Sequence, residues 1–239
     1  MNVEEIFEKI EKNRENTNTH WSEKKIQLPD NGEIFKVNGF GICEDDNFEK
    51  GSFRYYLEFD INSIKNNKSL VVLLMNPSDK TNPKKQNIDN TIKNALKIGF
   101  SMNYSKVIIL NSFAKICGNG KEAEKYYLTM KKEDKTSKNR TVEDINEDFV
   151  KRFLNDTDEI LLACGSGISE DLYQKYLKTL NIANKKTWSY AEKNKKGRPR
   201  HLSTQSKYNL NKFKCFIKNP QKNYLIIKED DGHFFVESK

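Results

Sequence analysis

The sequence has no C-x-x-C pair. Cys43, Cys117, Cys164 and Cys215 are widely separated, and none has a histidine close by. That excludes the usual zinc and iron–sulfur frameworks and fits reduced thiols in the cytosol. No apolar run approaches the ~20 residues of a membrane span, and residues 1–12 are too charged for a signal peptide. A G-x-x-x-x-G-K-[ST] phosphate loop and a G-x-S-x-G elbow are both absent, which argues against a phosphate-loop nucleotidase and a serine hydrolase. No internal repeat is present. The expectation is a cytoplasmic, monomeric protein with no membrane contact, metal or cofactor.

What is present bounds the answer further. The 239 residues suit one α/β domain with a small appendage, and the 36% hydrophobic residues gather into runs that can build a core. Net charge is +8 and the pI is about 9.1, which favours an anionic partner, although Lys- and Asn-rich chains are also basic simply because their genomes are AT-rich. The distribution is more informative. Between Asn184 and Lys222 stand ten Lys and two Arg against one acid, Glu192, a net of +11, which leaves −3 for the rest of the chain. A solvated lysine face would scatter acids too, so a phosphate-facing patch is the better reading.

Val3, Ile6, Phe7 and Ile10 recur at helical spacing. From Lys25 to Ile61 short β-like stretches are broken at Asp30-Asn31-Gly32 and Glu49-Lys50-Gly51. Three apolar runs follow: Leu70 to Met75, Val107 to Leu110, and Ile160 to Ala163. Each is short and continuous, as strands covered on both faces must be. A fourth strand is expected over Lys186 to Ala191, helices over Asp89 to Ile98, Val142 to Leu154 and Ser169 to Leu180, a helix and loop over Gly118 to Arg140, and a closing hairpin over Tyr224 to Val236. The alternation predicts a three-layer αβα sandwich around a four-stranded, mostly parallel sheet. Residues 1–62 read as an N-terminal helix and β-hairpin extension, 63–212 as the core, and 213–239 as the C-terminal hairpin.

In an open parallel sheet, ligands bind beyond the carboxyl ends of the strands. Here those ends carry Met75-Asn76-Pro77-Ser78-Asp79, Asn111-Ser112-Phe113-Ala114, Cys164-Gly165-Ser166-Gly167 and Gly197-Arg198-Pro199-Arg200-His201-Leu202-Ser203. In order and content they resemble the uracil-DNA glycosylase superfamily, in the branch with an Asn-Pro-Gly/Ser motif. Arg54-Tyr55, Asp89-x-Thr91 and Gly197 to His201 also resemble a bacterial domain family without assigned function. The resemblance spans Arg54 to Ser203.

It implies a glycosylase that extrudes a pyrimidine and hydrolyses its N-glycosidic bond, leaving an abasic site. Asn76 would hold the water, with Asp79 or Asp89 as a nearby carboxylate, and His201 would donate to the charge growing on the base. Asn111 would read the pyrimidine edge, lined by Pro77, Ser78 and Phe113; Tyr55 and Tyr56 are further stacking candidates. Lys195, Lys196, Arg198, Arg200 and Lys207 would meet phosphates, and Ser112, Ser166 and Ser203 would pinch them. Gly165 and Ser166 would offer backbone amides at a helix start, and Leu202 would fill the vacated stack. Ser78 replaces the tyrosine that excludes a 5-methyl group in strict uracil enzymes. The expected substrate is therefore an enlarged or 5-modified pyrimidine such as glucosylated hydroxymethylcytosine of phage DNA, in a defence role.

Each residue also has a plainer reading. Asn76-Pro77-Ser78 can be a strand-ending turn, Asn111 a loop cap, His201 a surface residue, and Gly165 the means to a tight turn. The rivals as a whole are a non-catalytic nucleic-acid-binding module of the same fold and a hydrolase of free modified nucleosides or nucleotides.

Overall fold

The computed structural model describes residues 1–17, 19–134, 140–191, 193–194, 196–203 and 207–238, without the side chains of 133–134, 207–210 and 238. Helix α1 (Val3–Glu15) starts at a capping box, in which Asn2 accepts from the Glu5 N–H and Glu5 reaches back. Strands β1 (Trp21–Gln27), β2 (Ile34–Cys43) and β3 (Arg54–Ile61) then form an antiparallel meander. The β/α part follows: β4 (Ser69–Leu74), α2 (Asn90–Ser101), β5 (Lys106–Asn111), α3 (Gly120–Asp134), α4 (Val142–Asn155), β6 (Glu159–Leu162), α5 (Glu170–Ile182) and β7 (Lys186–Trp188). Helix α6 (Lys207–Lys218) and a hairpin of β8 (Tyr224–Asp230) and β9 (His233–Ser238) close the chain.

All nine strands join one mixed sheet in the order β1-β2-β3-β5-β4-β6-β7-β8-β9. This corrects the expectation of a four-stranded sheet with appended hairpins. The four parallel strands are present as β5-β4-β6-β7, but β3 pairs antiparallel with β5 and β8 with β7, so the terminal segments lengthen the same sheet. Helix α6 runs across the expected boundary at 212/213, and β7 ends at Trp188 rather than Ala191.

Period-two alternation splits the core in two. Val71 and Leu73 of β4, with Ile108 and Leu110 of β5, pack against α1, α3, α4 and α5. Leu70, Val72 and Leu74, with Val107 and Ile109, pack against α2 and α6. Each fully buried aliphatic side chain contributes about 1.5–3 kcal/mol. Among the described residues no helix is long and apolar enough to cross a membrane.

Strand β4 pairs with β5 on one side and β6 on the other. The chain moves outward from β4 in opposite directions at this point, which makes it the topological switch point where ligand crevices form.

A candidate active-site cleft at the switch point

Beyond β4 and β5 the backbone stays paired. Ser112 and Phe113 donate N–H bonds to the carbonyls of Leu74 and Met75, and Cys117 donates to Pro77. On its other side this segment meets the approach to β3, where Arg54 donates to Ala114. Helix α4 clamps it from above: Glu143 accepts the N–H groups of Ala114 (3.0 Å) and Lys115 (3.3 Å), and Asn146 Nδ2 donates to the carbonyls of Asn111 (3.1 Å) and Ser112 (3.3 Å). Burial pushes the Glu143 carboxyl up to about 7, opposed by the two N–H bonds.

A cleft of about 260 Å³ opens at this rim, and Asn76, Ser78, Asp89, Asn111, His201 and Ser203 all line it. Asn76 Nδ2 donates to the Cys117 carbonyl at 2.8 Å and to that of Pro77 at 3.2 Å. With its donors held by carbonyls, its oxygen is left as the acceptor for the cleft. Asn111 ends β5 beside Leu74, is 0% exposed, and has no partner for either amide atom among the described residues. An unmet buried amide of this kind costs about 1–3 kcal/mol and is rare in folded proteins.

His201 is brought to the cleft from two sides. Gly165, at φ +73°, lets the turn after β6 pass against it, and Asn94 of α2 donates to the Leu202 carbonyl at 2.7 Å. Burial holds the His201 imidazole below its usual range, partly offset by Asp89. The ring is therefore neutral at pH 7, a donor on one nitrogen and an acceptor on the other.

Several expected residues stand elsewhere. Asp79 lines a neighbouring open groove with Lys80, Lys85 and Lys93 rather than this cleft. Asp89 reaches the cleft but caps α2, with Oδ1 accepting from the Ile92 N–H and Oδ2 from the Thr81 hydroxyl. Pro77 is buried and contributes its carbonyl. Phe113 is 0% exposed and packs on Tyr127 with centroids 5.3 Å apart. Tyr55 and Tyr56 are likewise buried, bonded to Glu44 and Glu58. None of the three stacks over the cleft, where His201 is the one aromatic ring among the described residues.

The phosphate-facing group also divides. Ser166, Lys196 and Arg200 are exposed, Ser203 is half-buried, and Lys196 Nζ donates to the Ser166 carbonyl at 3.3 Å. Ser112 is buried and donates to Leu74. Gly165 is buried too. Arg198 is 4% exposed, paired with Glu170, bonded to the Ile168 carbonyl and stacked over Tyr173, which is a structural role. Leu202 is 0% exposed inside the core, so it is no exposed wedge. Lys195 and the side chain of Lys207 lie outside the described residues.

The cleft also contains residues that reading strand ends did not bring forward. Arg54, Lys80, Thr91, Cys117 and Gly120 belong to its wall. Arg54 was reachable in principle, because β3 runs antiparallel to β5 and so brings its amino end to the rim where the parallel strands present their carboxyl ends. A larger groove of about 440 Å³ lies at the opposite rim, by Ser69 and Glu159; its one arginine, Arg14, is already paired with Glu58.

No curated protein and no solved structure matches the chain. One family model does, that of DUF1643, described as a protein of unknown function, over residues 54–201. The matched segment begins at Arg54 and ends at His201, two residues of the cleft wall. It covers well over half of the 239 residues, and the chain therefore belongs to the DUF1643 family.

Proposed function

We propose that this protein is a DNA glycosylase of uracil-DNA-glycosylase-like fold that hydrolyses the N-glycosidic bond of an extruded pyrimidine and leaves an abasic site. The observation that carries this reading is the meeting of Asn76, Asn111 and His201, which end or follow three different strands, in one cleft at the switch point. As the C1′–N1 bond breaks, its electron pair passes to the base and the sugar gains oxocarbenium character. Asn76 orients a water through its free oxygen, and the water oxygen bonds to C1′ while its proton leaves to solvent or to the departing base. The neutral His201 N–H donates to the charge on the base oxygen, where a fixed donor is worth most. Asn111 satisfies its empty amide on the pyrimidine edge. An amide cannot take the proton of the water at neutral pH, so catalysis rests on positioning and on leaving-group stabilisation.

Ser78 borders the cleft with a small side chain, and this supports an enlarged or 5-modified pyrimidine, such as glucosylated hydroxymethylcytosine of phage DNA. Exposed Lys196 and Arg200 supply phosphate contacts without sequence preference. The test is an abasic-site assay on DNAs containing uracil, mismatched thymine, hydroxymethylcytosine and its glucosylated form, with Asn76→Ala alongside. Cleavage of one substrate, lost in the variant, is the expected result. Salt-sensitive binding with no product from any of them overturns the enzyme in favour of a binding module. Ser78→Tyr should abolish action on a bulky base, and undiminished activity refutes the roomy pocket.

A further inference from the structure

Arg54 opens the family-matched segment, is 1% exposed and borders the cleft. Among the described residues only Nη1 of its donors is engaged, with the carbonyls of Thr81 at 3.2 Å and Ser78 at 3.5 Å, while Nε is sealed from solvent without a partner. Among the described residues no carboxylate forms an ion pair with it. Asp89 is the acid whose charge acts on it, from a carboxylate that also accepts from Ile92 and Thr81. Burying a guanidinium without a counter-ion is unfavourable, and the planar fork is suited to a tetrahedral or planar oxyanion.

Two further features act in the same direction. The twelve-residue α2 begins on the cleft wall at Asn90, Thr91 and Ile92, and the fifteen-residue α3 begins there at Gly120; both helix ends are positive. Lys80 stands exposed on the same wall. Against these stands one negative charge, Asp89, and His201 adds none while neutral. The cleft is thus net positive, with its cation at the buried end.

We infer that the cleft holds a phosphate site in which Arg54 is the counter-charge to a phosphate ester of the nucleotide whose base meets Asn111. The inference rests on the glycosylase reading only in taking this cleft as the place where substrate enters. The phosphate can belong to a DNA strand beside the extruded nucleotide or to a free nucleoside monophosphate.

Calorimetric titration of the full chain with inorganic phosphate, a pyrimidine 5′-monophosphate, the matching nucleoside and a short single-stranded oligonucleotide tests it. One-to-one binding of phosphate and monophosphate is expected, with the nucleoside at least tenfold weaker. Arg54→Met should weaken phosphate binding at least tenfold. Because Arg54 also holds Ser78 and Thr81, Lys80→Glu is the second variant: it reverses an exposed charge on the cleft wall and should weaken phosphate at least tenfold without lowering the melting temperature. Equal affinity for nucleoside and monophosphate, no phosphate binding, or undiminished binding in both variants overturns the site. An oligonucleotide that displaces the monophosphate assigns the phosphate to DNA, and the reverse assigns it to a free nucleotide. Phosphate binding without abasic product sinks the glycosylase reading alone; base excision without phosphate binding sinks this site alone.

Discussion

Gly165 lies against His201 so closely that a β-carbon on it would stand 3.2 Å from His201 Cβ. The turn after β6 and the segment after β7 are thereby packed together at the switch point, and the imidazole is placed by backbone contact rather than by a hydrogen bond to its ring. Gly165 also sits at φ +73°, where a side chain is strained. Gly165→Ala should cost about 1 kcal/mol or more, a melting shift of roughly 2–4 °C per kcal/mol at this size, and should displace His201. Thermal melts and the abasic-site assay read the two effects. An unchanged rate of base release would show that His201 has no part in it.

Asn111 presents a trade between stability and function. Its two amide atoms are buried without partners, so replacing them with carbon of similar shape removes an unmet desolvation cost. Asn111→Leu should leave stability equal or raise it by about 1 kcal/mol while abolishing ligand binding and base release. Denaturant titration beside the activity assay checks it, and a marked loss of stability would mean that the amide has a structural partner.

Arg198 and Arg200 are two residues apart and should behave differently. Arg198 is buried on Glu170, Ile168 and Tyr173, so Arg198→Met should cost about 1–3 kcal/mol of stability and leave the salt slope of DNA binding unchanged. Arg200 is exposed. Arg200→Ala should leave stability within about 0.5 kcal/mol and lower the slope of log affinity against log salt by about 1. Binding isotherms at several salt concentrations distinguish the two.

Glu143 makes a pH-dependent contribution. Its carboxyl is raised from 4.5 to about 7 by burial, so the folded state holds the proton more tightly than the unfolded one. The stabilisation is full below pH 4.5, declines as pH rises toward 7, and is flat above. Relative to Glu143→Gln, the wild type should lose up to about 1.4 kcal/mol per pH unit across that window. Parallel unfolding curves for the two proteins would mean that the Glu143 carboxyl binds its proton equally in the folded and unfolded states.

The amino-acid sequence by itself determined the elements with strong local signals. The runs of β4, β5 and β6 are continuous and aliphatic, as doubly covered strands require. The caps of α2, α4 and α5 are Asp89, Thr141 and Ser169, each accepting an N–H bond in the first turn. Asn76, Asn111 and His201 were legible as candidates because the chain order of strand ends predicts a shared rim. Only the tertiary structure decided the rest. Strand pairing across long separations made β1–β3 and β8–β9 part of one sheet. Helix α6 escaped notice because the apolar positions Phe213 and Phe216 stand among lysines. Burial turned Leu202, Phe113 and Arg198 inward, since adjacency to a motif says nothing about which way a side chain faces. Arg54 reached the cleft because an antiparallel neighbour presents its opposite end to the same rim, a relation that exists only once the strands are paired.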